Sequence, residues 1–189
     1  MNSLQQSIVS SFFLATFLTL PVYAADIAAG EQKAAACAGC HGQTGNSSNI
    51  QWPNLAAQQS TYLGNQLKAF KAGDRINPMM QSMTASLSNE DINNIAAYFS
   101  SQKPVKASGG DPALAKSGEA KAGMCLGCHG ATAQGNGQFP KLAGQHPEYL
   151  EQQLKAFKEG TRKSGPMQAI TANLSEADFK ALAAYFGSL

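Results

Sequence analysis

Residues 37–42 read CAGCHG, and residues 125–130 read CLGCHG. These two stretches hold all four cysteines of the chain and two of its three histidines. Working outward from them, the chain repeats itself. LGNQLKAFKAGDR at 63–75 matches LEQQLKAFKEGTR at 150–162, and Pro53-Asn54-Leu55-Ala56 matches Pro140-Lys141-Leu142-Ala143. Leu87-Ser88 returns as Leu174-Ser175, and Ala96-Ala97-Tyr98-Phe99 as Ala183-Ala184-Tyr185-Phe186. Two copies of this length are tandem domains rather than a solenoid of short units. The polar, turn-rich stretch QKPVKASGGDP at 102–112 separates them. The expected units are residues 25–103 and 112–189, joined by a linker at 104–111.

Each unit reads as helices around loops. An Ala-rich start leads into the cysteine motif. A middle helix carries Leu63, Leu67 and Phe70 on one face, repeated as Leu150, Leu154 and Phe157. A final helix opens at Ser88 or Ser175, with Asp91 or Asp178 three residues on, which is a capping-box arrangement. No segment shows sustained strand alternation. The expected fold class is all-α, twice, in three helical pieces per unit.

Composition sets further limits. Charged residues are 14% of the chain and the formal net charge is +2, so no basic footprint for nucleic acid exists. Large aliphatics are scarce, and a unit of about 80 residues built from Ala and Gly struggles to close its own core. Something else should fill the interior. Residues 1–24 differ from the rest. They carry no Asp, Glu, Lys or Arg, and the apolar run IVSSFFLATFLTL (8–20) is followed by Pro21 and Val22-Tyr23-Ala24. That pattern reads as an export signal peptide cut after Ala24, and the run falls short of the ~18–20 residues of a spanning helix. The mature protein would then lie in an export compartment.

The cysteine motif supplies the missing interior. Cys37 and Cys40, like Cys125 and Cys128, are spaced to reach the two vinyl groups on one edge of a haem. His41 and His129, each next to the second cysteine, are then held beneath the iron as axial ligands. A thioredoxin-like site would give no reason for the histidine. Zinc modules use shorter gaps between their cysteine pairs. A disulfide closing so short a loop is a poor entropic staple. Two covalently bound haems c, with their iron, are the expected cofactors.

Methionine is the expected second axial ligand. The second unit offers Met167, and the repeat places Met80 opposite it, with Met79 as the rival in the first unit. Met124 precedes Cys125 and is badly placed to reach the far face. Pro53 and Pro140, shortly after each histidine, lie in loops whose carbonyls can hold the other imidazole nitrogen. Trp52 and Phe139 are expected to wall the pockets. His146, whose counterpart is Gln59, is expected to be an exposed boundary residue. Arg75 and Arg162 are read either as partners of haem propionates or as solvated surface charge.

These motifs resemble class I cytochromes c, and the doubled arrangement is similar to the cytochrome c4 family over essentially the whole chain after residue 24. The residues that carry the resemblance are Cys37, Cys40, His41 and Met80, then Cys125, Cys128, His129 and Met167, with WPNLAAQ (52–58), FPKLAGQ (139–145) and the two LKAFK segments. The resemblance implies two domains facing each other about a pseudo-twofold axis. It also implies electron transport in the bacterial periplasm, from a quinol-oxidising cytochrome bc complex to a terminal oxidase of the respiratory chain, with loose membrane association. It implies an electron-transfer protein and not an enzyme. A haem subunit of a larger oxidoreductase, such as a flavocytochrome c sulfide dehydrogenase, would read similarly. A dihaem peroxidase would need a displaceable distal ligand, against which the matched methionines argue. The first unit has five basic and five acidic residues, and the second nine and seven. Each ferric haem with two ionised propionates adds about one negative charge, so partners would be met through local patches rather than long-range steering.

Overall fold

The computed structural model describes residues 24–106 and 110–189. Nearly all of the expected signal segment, and positions 107–109 of the expected linker, lie outside the described residues. Among the described residues there are helices and one isolated bridge between Asn136 and Phe139, and no helix is long and apolar enough to cross a membrane.

The first unit runs α1 (Ile27–Ala34), a 3-10 turn (Ala35–Cys37), α2 (Ala38–His41), α3 (Ser60–Ala72), α4 (Pro78–Thr84) and α5 (Asn89–Ser101). The second repeats it as α6 (Pro112–Glu119), α7 (Gly123–His129), α8 (Pro147–Lys158), α9 (Gly165–Thr171) and α10 (Glu176–Ser188). The three-piece expectation undercounts. Both methionine-bearing segments are short helices, α4 and α9, which too few residues specify for periodicity to show. Proline sits in the first turn of each, where its missing N–H costs nothing.

Each first helix crosses its last helix at close range, α1 on α5 and α6 on α10. Glycine permits this. A Cβ on Gly30 would come within 2.1 Å of the Asn94 carbonyl oxygen, and one on Gly118 within 2.0 Å of that of Ala181. The same crossings carry matched ion pairs, Lys33–Asp91 at 2.9 Å and Lys121–Asp178 at 2.7 Å. Asp91 and Asp178 also close the expected capping boxes with Ser88 and Ser175. The Ser88 backbone N–H, reinforced by Lys33, lowers the Asp91 carboxyl to about 2. Asp178 is lowered chiefly by Lys121.

The packed interior is small. In the first unit it gathers Ala34, Leu63, Ile95, Ala96, Tyr98 and Phe99, with Cys37 and Leu67 against it. In the second it gathers Ala122, Ala133, Leu150, Leu182, Ala183 and Phe186, with Cys125 and Leu154 against it. The repeated LKAFK segment has three separate tasks. Leu67 and Leu154 face these clusters, Phe70 and Phe157 each lie under an arginine, and Lys71 and Lys158 donate to the carbonyls of Leu87 and Leu174.

Gly118→Val should destabilise the second unit by about 1–3 kcal/mol, because no flexible atom can yield at that crossing; thermal unfolding of the holoprotein reads it. Asp91→Asn tests the pH linkage. A carboxyl lowered in the folded state stabilises above its unfolded pKa of about 3.9, and that contribution is lost as pH falls toward 2. The melting difference between wild type and Asp91→Asn should therefore be present at pH 6 and shrink steadily below about pH 4.

Candidate functional site

The two cysteine motifs lie on α2 and α7, each ending in its histidine. Helical geometry puts Cys37 and Cys40, and Cys125 and Cys128, on one side of one turn. All four are free thiols. Burial pushes the Cys37 and Cys125 thiols up, so they keep their protons.

His41 and His129 are buried, at 8% and 6% exposure. Nδ1 of His41 stands 2.9 Å from the Pro53 carbonyl oxygen, and Nδ1 of His129 stands 2.8 Å from that of Pro140. A carbonyl only accepts, so each Nδ1 carries the hydrogen and each Nε2 presents a lone pair. Burial lowers both imidazoles below their ordinary range, which favours the neutral form that binds metal. Among the described residues Nε2 of neither histidine has a hydrogen-bond partner. Two protonated thiols, one neutral imidazole with an uncommitted Nε2, and an apolar surround form a donor set that fits a covalently held haem. Phe139 meets the His129 ring edge-on at 6.3 Å, while Trp52 is half-buried beside Pro53.

The proline loops are fastened on both sides. Leu55 N–H donates to the Gly45 carbonyl at 2.7 Å and Ala57 N–H to that of Phe99 at 3.0 Å. Leu142 N–H donates to Ala133 at 2.8 Å and Gly144 N–H to Phe186 at 2.9 Å. The last helix of each unit thus holds the loop that holds its histidine.

Met80 and Met167 are half-buried in the first turns of α4 and α9, whereas Met79 is 57% exposed and Met83 42%. Thr84 and Thr171, almost fully buried, donate their hydroxyls to the Met80 and Met167 carbonyls at 2.8 Å. The Met80 N–H is capped by the Asn77 side chain at 3.0 Å; Ser164, its counterpart, gives α9 no side-chain cap. The threonines escaped sequence reasoning, although their place in the repeat, four residues past each methionine, was a signal.

The two units meet at these loops in crossed pairs. Asn54 N–H donates to Gln145 Oε1 at 2.8 Å, and Gln145 Nε2 donates to the Asn54 carbonyl at 2.9 Å. The mirrored pair is Lys141 N–H to Gln58 Oε1 at 2.7 Å and Gln58 Nε2 to the Lys141 carbonyl at 2.9 Å. Asn54 and Lys141 are repeat partners, as are Gln58 and Gln145, so the contact is isologous.

Two expectations are corrected here. His146 is no exposed boundary residue. It is 5% exposed, its Nε2 reaches the Ser47 carbonyl of the first unit at 3.1 Å, and its buried Nδ1 has no partner. Gln59 makes the comparable reach to the Gln134 carbonyl at 3.0 Å. Arg75 and Arg162 are not solvated surface charges either. Arg75 donates to Gln66 at 2.7 Å in its own unit, and to Tyr149 at 2.9 Å and Gln153 at 2.8 Å in the other. Arg162 donates to Gln153 at 2.7 Å, and across to Tyr62 at 2.8 Å and Gln66 at 2.9 Å. The sequence of one unit holds no trace of these bonds, because their acceptors belong to the other.

Comparison with known proteins comes out on one side. A family profile described as cytochrome c matches residues 27–103 and again 115–189. The chain is 41% identical to cytochrome c4 of Pseudomonas aeruginosa, over 88% of this chain and 90% of that one. A thiosulfate dehydrogenase electron acceptor of Stutzerimonas stutzeri is 34% identical, over 82% and 80%. The crystal structure of reduced recombinant cytochrome c4 from Pseudomonas stutzeri has a TM-score of 0.81 at 41% identity, covering 88% of this chain and all of that one.

Gln58→Ala removes the acceptor of the Lys141 N–H but leaves the mirrored pair whole. Hydrogen exchange at Lys141 should quicken by about tenfold, the equivalent of ~1.4 kcal/mol, while Asn54 stays protected.

Proposed function

From the premise that the chain belongs to the cytochrome c4 family, a dihaem electron carrier with two covalent haems c, we propose that it moves electrons in the periplasm between a quinol-oxidising cytochrome bc complex and a terminal oxidase. In this reading residues 1–24 are a cleaved export signal, residues 25–103 and 112–189 are the two haem units, and the carrier rests loosely on the membrane. Cys37, Cys40, Cys125 and Cys128 form the thioether links. His41 with Met80, and His129 with Met167, are the axial pairs. Each bound haem supplies a one-electron couple.

What this chain's residues contribute is orientation and exclusion. The Pro53 and Pro140 carbonyls fix the tautomer and the angle of each imidazole and raise its basicity. The solvent-facing position of Met79, against the half-buried Met80, supports Met80 as the first ligand. Thr84 and Thr171 anchor the turns that present the methionines. With both axial positions taken, neither iron offers a place for a substrate, in keeping with an electron-transfer role. The observation that carries the reading is the matched pair of histidine sites whose supporting loops also bind the two units together.

A second reading rests on the thiosulfate dehydrogenase electron acceptor among the relatives. Here the donor would be a dehydrogenase that oxidises an inorganic sulfur compound, and the carrier would serve as its partner or its haem subunit. Washed membranes separate the two. Ferrous carrier should be re-oxidised by membranes in air, and ferric carrier reduced on adding quinol, with the second step blocked by a bc-complex inhibitor. Reduction by a co-purified sulfur dehydrogenase, with no quinol-dependent rate, would favour the second reading.

Met80→His should lower the potential of the first haem and leave the second almost unmoved, because a thioether ligand favours ferrous iron more than imidazole does. A redox titration with two resolved waves reads this. Two unchanged waves would return the assignment to Met79.

A further inference from the structure

The knot formed by Arg75 and Arg162 has an unusual charge balance. Gln66 Oε1 accepts from both guanidiniums, and so does Gln153 Oε1. The nearest nitrogens of the two cations are therefore no more than two hydrogen-bond lengths apart. Like charges at that range repel, more strongly as water is withdrawn. Every acceptor that meets them is neutral: two amide oxygens and the hydroxyls of Tyr62 and Tyr149. The rings of Phe70, 4.6 Å from Arg75, and Phe157, 4.5 Å from Arg162, give each cation a π face but no countercharge. Lys141 adds a third cation at the same seam and donates to the Ala143 carbonyl. The ion pairs among the described residues are Lys33–Asp91, Lys121–Asp178, Lys155–Glu151 and Lys155–Glu176, so none of the three seam cations has a carboxylate. Tyr62 and Tyr149 each accept from arginine, which leaves both hydroxyl hydrogens available for a further acceptor.

Two converging guanidiniums with two phenolic donors form a site for carboxylate or another oxyanion. The cofactors bring such groups, because each haem c carries two propionates. The seam is also continuous with the haem loops. Pro53 and Pro140, which hold the histidines, are one residue from Asn54 and Lys141, which bond across it. We propose that the paired Arg75 and Arg162 guanidiniums, with the Tyr62 and Tyr149 hydroxyls, are the built countercharge for haem propionates at the domain seam, and that they set the reduction potential of both haems. The inference rests on covalent haem attachment. Arg75 and Arg162 act as positioning and charge-setting residues; the electron never passes through them.

The sign of the effect follows from charge. Reduction adds a negative charge, which a nearby cation favours, so loss of the cation lowers the potential. An arginine also keeps its propionate ionised. Without it the propionate pKa rises into the working range, and the reduced form then binds a proton more tightly than the oxidised form. The potential should become pH-dependent, falling as pH rises.

The test compares holoprotein wild type, Arg75→Gln and Arg75→Lys. Each is first checked for two haems by the absorbance of its pyridine complex; an absence of haem in wild type would overturn the underlying cofactor reading. With haem present, Arg75→Gln should lower both midpoints by about a tenfold shift in the ferric–ferrous equilibrium, ~59 mV for a one-electron couple. It should also convert a flat profile over about pH 5 to 8 into a falling one. Arg75→Lys keeps the charge but not the planar fork. It should restore most of the potential, while hydrogen exchange at the seam remains faster than in wild type. Equal losses of potential in both variants would make the residue merely structural and overturn the proposal. So would unmoved midpoints in Arg75→Gln. Inorganic phosphate is the third arm. It should leave the wild-type potentials unchanged, and a phosphate-dependent shift that vanishes in Arg75→Gln would mean that the site takes a free anion instead of a propionate.

Discussion

A buried imidazole donating to a proline carbonyl, at 2.9 Å in one unit and 2.8 Å in the other, is the contact around which the rest is arranged. An iron ligand is useful only when its ring is held in one tautomer and one orientation. The chain meets that demand with a loop rather than a helix, and loops are mobile unless tied down. The ties are therefore many. Leu55, Ala56 and Ala57 each give a backbone N–H to a fixed carbonyl, and Leu142, Ala143 and Gly144 do the same. The last helix of each unit supplies one of those acceptors, through Phe99 and Phe186. The crossing that places that helix depends in turn on Gly30 or Gly118.

The same loops serve as the meeting surface of the two units. Domains joined by a polar linker ordinarily move relative to one another. Here four crossed bonds between Asn54, Gln58, Lys141 and Gln145 tie backbone to side chain in both directions. Each contributes about 1 kcal/mol net, and together they fix one relative orientation. This suits a carrier with two redox centres, because a fixed separation gives a fixed rate of exchange between them. The interface is polar, as befits one that abuts charged cofactor edges. The repeat is broken at His146, where Gln59 would be its match, yet both side chains reach a backbone carbonyl in the other unit. Geometry has been kept where chemistry was exchanged.

The units differ most where the methionine helices meet solvent. Ile76 is 73% exposed and Met79 57%, and their counterparts are Lys163 and Pro166. The cap on α4 is likewise missing from α9. A chain with little net charge has no strong field with which to steer a partner. Unlike surfaces beside two otherwise matched haem sites give the two ends of the molecule different contact chemistry.

Much of this was legible in one dimension. CAGCHG and CLGCHG named the cofactor, since no competing use of paired cysteines explains the following histidine. The internal repeat gave the two-unit helical plan and put Met80 opposite Met167. Serine and aspartate three apart marked both capping boxes. These readings succeed because each depends on residues close in sequence, or on a copy of them at constant spacing. The short helices α4 and α9 were missed because seven residues show little periodicity. The seam was beyond reach for a different reason. Arg75 looks like a surface cation until Tyr149 and Gln153 are brought to it, and His146 looks like a helix boundary until Ser47 covers it. A hydrogen bond across a pseudo-twofold axis joins residues with no local relation, so only the folding of both copies against each other could determine it.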